Sequence, residues 1–158
     1  MKISLSTLLT TEQEDRLLSL CGPTTWYGNG VPNAQILNEI YAEANAAFFA
    51  NRLTRPKITM RRFKAPDLRS TMLAYWDQNF RDLNVDPRLF AMRRPLLLCQ
   101  ALVHEMCHQA VTDIDQVTYV QTDPVRKTHG RNWMMWMMKC GLPPEPITET
   151  TEAFPTRE

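Results

Sequence analysis

All three histidines of the chain, His104, His108 and His129, fall where a metal site would need them. The first two enclose a glutamate in His104-Glu105-Met106-Cys107-His108, the pattern His-Glu-x-x-His. On an α-helix, residues i and i+4 share one face about 6 Å apart along the axis, so both imidazoles reach a single ion. Glu105 falls on the same side. From there it can take a proton from a water activated by the metal without being a ligand, as the general base of a zinc-dependent hydrolase does.

A catalytic zinc keeps three protein ligands and leaves its fourth position to water. A third histidine six residues beyond the second would stand at position 114, which is Ile, and no glutamate occurs between Glu105 and Glu145. His129 remains, in Thr128-His-Gly-Arg-Asn-Trp133 at the start of the last predicted helix, and it is the expected third ligand of one zinc ion per chain. Three neutral imidazoles leave the ion its full charge, which polarises a peptide carbonyl and makes a nearby water acidic. Glu105 then takes that proton and delivers it to the leaving amine. A second donor to the oxyanion has to come from a tyrosine, an arginine or a backbone amide, with Tyr75, Tyr119, Arg126 and Arg131 as candidates. Asp113, Asp115 and Asp123 are candidate acceptors for the outer nitrogens of the ligating rings, or simply loop residues.

The elements that must position these groups are legible in outline. Residues 95–111 form the motif helix, with Pro95 suited to its first position and Leu96, Leu97, Leu98, Leu102, Val103 and Met106 around nearly the whole cylinder. A helix apolar on all sides is buried, and histidines and a glutamate there need coordination or pairing. The plainer reading is two core histidines satisfied by carbonyls. Thr11-Glu-Gln-Glu14 has capping-box spacing and opens a short helix to about Leu20. Loop composition follows to Pro32, with Trp26 and Tyr27 expected to fold back on the body. Ile36, Leu37, Ile40, Tyr41, Ala44, Ala47 and Phe48 mark an amphipathic helix over residues 33–51. Strands are predicted at 57–63, 71–76 and 80–85, with Asp77-Gln78-Asn79 as a turn, giving a small, mainly antiparallel sheet. An exposed edge within 71–76 would suit an extended substrate peptide. The last helix spans residues 130–140 and stops at Gly141 with Pro143 and Pro144 beyond. On it Met134, Met135, Met137 and Met138 flank Trp136 and read as core packing.

With 158 residues, 44% hydrophobic and 22% charged, residues 1–158 read as one domain that buries a core without disulfides, so a metal is free to serve chemistry. Residues 1–32 are its short helix and loop, and 145–158 an acidic, flexible tail. The amino terminus has no sustained apolar run and no segment could span a membrane. Cys21, Cys99, Cys107 and Cys140 form no Cys-x-x-Cys pair, which predicts reduced, buried thiols and a cytoplasmic setting. Net charge is +1, yet residues 52–139 hold 15 Lys+Arg against 8 Asp+Glu. The densest run is Arg52, Arg55, Lys57, Arg61, Arg62, Lys64 and Arg69, either a solvated face or a set of phosphate contacts to nucleic acid.

At Leu102-Val-His-Glu-Met-Cys-His108 and at His129-Gly130 with Trp133 following, the chain resembles the SprT-like (Spartan/SprT-type) family of zinc metallopeptidases. The likeness extends in element order from Ile40 to Leu142. It implies an α+β, minimal zincin-like fold, with the sheet packed against the motif helix and its flanking helices. It also implies His104, His108 and His129 as ligands, Glu105 as the catalytic residue, and protein substrates, some bound to DNA. The stretch between His108 and His129 is longer than is usual in the family, and Leu73-Ala74 stands where an Ala-Gly pair is frequent. Paired Cys-x-x-Cys motifs, common in bacterial relatives, do not occur here. A non-catalytic zinc-containing module that binds nucleic acid or protein, and a zinc hydrolase of a non-peptide amide, are the alternatives.

Overall fold

The computed structural model describes residues 9–22, 32–62, 74–91, 95–120 and 129–144. Trp26, Tyr27, Lys64, Arg69, Asp123, Arg126 and the tail from 145 lie outside these segments. Among the described residues the order is α1 (Thr11–Cys21), α2 (Asn33–Phe49), β1 (Lys57–Met60), β2 (Ala74–Asp77), β3 (Asp82–Val85), α3 (Arg88–Ala91), α4 (Pro95–Asp113) and α5 (Arg131–Lys139).

The capping box of α1 lies one residue earlier than Thr11-x-x-Glu14. Thr10 Oγ1 accepts from Gln13 N at 3.1 Å while Gln13 Oε1 accepts from Thr10 N at 2.9 Å. Tertiary structure decides between the two overlapping boxes, because the Gln13 amide also donates to Gly141 O at 3.0 Å. Arg16 Nη1 donates to Cys140 O at 2.7 Å, so α1 holds the end of α5 twice. That end is a Schellman turn, with Leu142 N donating to Met137 O and Gly141 N to Met138 O. Gly141 takes φ +73, as the motif demands.

In α2, Ile36, Leu37, Ile40, Tyr41 and Ala44 are buried, as their periodicity predicts, whereas Ala47 is exposed. The helix stops at Phe49 rather than Asn51, since Ala50 and Asn51 both turn left-handed (φ 51 and 58). Asn45 holds the outgoing chain through Leu53, donating from Nδ2 to Leu53 O at 2.9 Å and accepting from Leu53 N at 3.2 Å.

The sheet is small, as expected, but mixed rather than mainly antiparallel. Its order is β1-β3-β2, with β2 antiparallel and β1 parallel to the central β3. Strand pattern reveals which residues extend but not how a chain returns, so the parallel pairing of β1 was not readable. The first and third strands are shorter than predicted, residues 71–73 of the second lie outside the described segments, and Phe80 is in the β2–β3 turn, largely exposed. Asp77 Oδ1 accepts from Asn79 N and Phe80 N there, an Asx turn that ends the strand. The short α3 was not foreseen, although Asp86-Pro87 carries its signal. Asp86 Oδ1 accepts from Arg88 N at 2.9 Å, the role of an N-cap.

Helix α4 is the centre of the fold, packed by α1, α2, α5 and β2. Every residue from Leu97 to Val111 except Ala101 is buried, polar ones included. Gln109 is satisfied within that core: it accepts from Tyr41 Oη at 2.8 Å and donates to Thr54 O at 2.8 Å. No described helix is long and apolar enough to cross a membrane. All four cysteines are free and buried. On α5 the core-packing expectation holds for Met137 only; Met134, Met135 and Met138 are exposed, off the helix face that turns Trp133, Trp136 and Met137 inward.

Candidate active site

Helix α4 presents His104 and His108 one turn apart, and the residue before the N-cap of α5 presents His129 to the same point. His104 Nε2 lies 3.2 Å from His108 Nε2 and 3.3 Å from His129 Nε2. The three rings form a group placed to hold a metal ion, with every ligand atom within 4.8 Å of the others. A tetrahedral ion with bonds of 2.0–2.1 Å has ligand atoms about 3.3 Å apart, which the two distances to His104 match. The protonation states fit as well. Burial, and next the proximity of His129, lowers the His104 pKa to about 3. Burial likewise holds His108 well below its ordinary value and lowers His129. Neutral imidazole is the form that ligates.

The platform beneath the rings is Trp133, fully buried on α5. It stacks on His108 at 5.4 Å and 19°, and meets His104 and His129 at 4.9 and 4.6 Å between centroids. Its Nε1 donates to His104 O at 3.3 Å, tying α5 to the motif helix. Asp115 Oδ2, just past α4, accepts from Asn132 Nδ2 at 3.0 Å and Trp136 Nε1 at 2.9 Å, which sets the start of α5 and the reach of His129.

Glu105 is buried beside the cluster, with Oε1 3.8 Å from His104 Nε2. Its Oε2 accepts from the Trp76 main-chain N–H at 2.8 Å. Trp76 pairs with Leu83 on its other side, and its indole donates to Thr112 Oγ1 at 3.1 Å. Trp76 therefore fastens strand β2 to α4 at two points, Glu105 and Thr112. A backbone donor thus helps to position Glu105. Nothing in the sequence marks a main-chain N–H as a partner, so Trp76 was missed; Trp133, four residues after His129, could have been found from helical spacing.

The other predicted residues are dispersed. Tyr75 Oη is hydrogen-bonded by Arg61 Nη2 at the surface, and Arg131 is exposed at the first turn of α5. Tyr119 Oη lies 2.9 Å from His108 Nδ1, the nitrogen that faces away from the cluster, and donates to His108 O at 2.9 Å. Burial, then Glu105, raises its pKa well above the usual phenol range, so the hydroxyl keeps its proton. Asp113 pairs with Arg81 at 2.6 Å, so of the candidate acceptors neither Asp113 nor Asp115 meets an imidazole. Cys107 turns to Cys140, with sulfurs 3.8 Å apart, and burial raises its thiol pKa. Of the basic run, Arg52, Arg55, Lys57, Arg61 and Arg62 are exposed on the segment around β1.

Searches of curated proteins and of solved structures returned no match. The SprT-like family model matches residues 37–152. That span covers most of the chain and holds α2 from Leu37 onward, the three described strands, the motif helix and the His129 seat, so the chain belongs to the SprT-like family.

Proposed function

We propose that the protein is a zinc metallopeptidase that hydrolyses peptide bonds in protein substrates. The observation that carries this reading is the convergence of three imidazoles, with His104 Nε2 3.2 Å from His108 Nε2 and 3.3 Å from His129 Nε2, and the buried Glu105 carboxylate at their side. An all-imidazole donor set suits zinc, and a structural site would fill its fourth position with another side chain. When bound, zinc supplies Lewis-acid polarisation of a carbonyl and acidifies water. Glu105 provides the base. Oε2 accepts from Trp76 N, and Oε1, 3.8 Å from His104 Nε2, is on the side of the cluster where it would accept a proton and pass it to the departing nitrogen. Strand β2 is at the edge of the sheet beside the motif helix, and an extended substrate would add to that edge near Ala74. Main-chain pairing of this kind gives broad sequence preference.

The buried free thiols suit a reducing, cytoplasmic compartment. The exposed arginines and lysine near β1 support contact with nucleic acid, so that substrates bound to DNA belong to the proposal. The test measures metal content of the purified chain and its cleavage of an unfolded protein, with and without DNA. One zinc per chain and cleavage lost on chelation are expected. A chain that binds stoichiometric zinc and leaves every unfolded substrate intact would overturn the peptidase reading.

A further inference from the structure

Metal-ligating histidines normally donate the second ring N–H to an acceptor that sets both tautomer and ring orientation. His104 Nδ1 is buried and makes no hydrogen bond among the described residues. His108 differs. The Tyr119 hydroxyl sits 2.9 Å from its Nδ1 and 2.9 Å from its own main-chain oxygen. A hydroxyl has one proton to give and a carbonyl oxygen can only accept, so that proton goes to His108 O. The remaining contact is then satisfied in one way, with Nδ1–H donating to the hydroxyl lone pair. Proton placement on Nδ1 leaves the lone pair on Nε2, which faces the other two histidines.

The tyrosine is itself held by a contact that does not involve His108. Its main-chain N donates to Gln78 Oε1 in the β2–β3 turn at 3.1 Å, and its ring meets the His108 ring edge-on at 5.5 Å and 81°. Resting on the metal-site reading above, we propose that Tyr119 is a positioning residue of that site: it selects the His108 tautomer competent to ligate and holds the ring in place. Of the carboxylates that sequence would nominate for this task, Asp113 and Asp115 are engaged elsewhere, and Asp123 lies outside the described residues. A neutral phenol in their place leaves the charge of the site unreduced.

The experiment uses the full chain, stripped of metal and titrated with zinc against a chromophoric chelator. Tyr119→Phe removes the hydroxyl alone and is expected to weaken zinc binding about 10–100-fold. Gln78→Ala loosens the same loop without touching His108 and is expected to change affinity much less. Ring ¹⁵N NMR of the metal-free wild type reads the tautomer directly and needs no variant. His108 protonated on Nδ1 supports the assignment; protonation on Nε2 overturns it. Unchanged affinity in Tyr119→Phe, or equal losses in both variants, also overturns it. His108→Ala serves as the reference: if it binds zinc as wild type does, the metal site itself is wrong, a failure distinct from that of Tyr119.

Discussion

Replacing Glu105 by glutamine or by alanine separates the two jobs this carboxylate performs. Its Oε2 accepts from Trp76 N–H in a buried setting, and its Oε1 faces His104 Nε2. Glutamine retains an oxygen for Trp76 and loses the base. Stability should change by no more than about 1 kcal/mol, whereas cleavage should fall about 10²–10⁴-fold, the usual contribution of a general base. Alanine also removes the acceptor, leaving a buried N–H unpaired at a cost of about 1–3 kcal/mol. For a chain of this size each kcal/mol moves the unfolding midpoint by roughly 2–4 °C, so Glu105→Ala should melt about 2–12 °C lower while Glu105→Gln stays near wild type. Calorimetry of the zinc-loaded proteins, with zinc content and cleavage measured alongside, checks all three. Equal melting of the two variants refutes the structural role assigned to the Trp76 bond. Normal cleavage by Glu105→Gln refutes the assignment of the base.

The metal-free protein should lose stability as pH falls from about 6.5 toward 3. Burial depresses the His104 pKa to about 3, while an unfolded chain protonates its histidines near 6.5. The unfolded state binds more protons in that window, and each imidazole kept neutral contributes up to about 1.4 kcal/mol per pH unit. Urea titrations at several pH values should show this slope reduced in His104→Asn; an identical slope contradicts the burial argument. Asp115→Ala removes the acceptor for Asn132 and Trp136 and should loosen the seat of His129. Zinc affinity, measured by chelator competition, should then fall in the order wild type, Asp115→Asn, Asp115→Ala, and equal affinities would detach His129 from that clamp. Neutralising Arg55, Lys57 and Arg62 together should lower DNA affinity and reduce the slope of log K against log salt by up to about 0.7–0.9 for each phosphate left without its cation. An unchanged slope removes nucleic acid from the proposal.

The sequence by itself determined the parts of this protein that depend on local periodicity. His104, Glu105 and His108 share a helix face by spacing alone, and the apolar residues around them made α4 the buried centre. The periodicity of α2 and the glycine stop of α5 were legible for the same reason, that helix geometry is local. His129 was reached by elimination; only folding brought it within 3.3 Å of His104, across 25 residues. Partners that act through the main chain or from a loop left no trace in composition. The Trp76 N–H on Glu105 depends on β2 pairing with β3 on one side and facing α4 on the other. The Tyr119 hydroxyl reaches His108 because of a loop conformation that no residue type announces. The mixed sheet was decided likewise, since parallel pairing of β1 with β3 is a property of the returning chain and not of either strand.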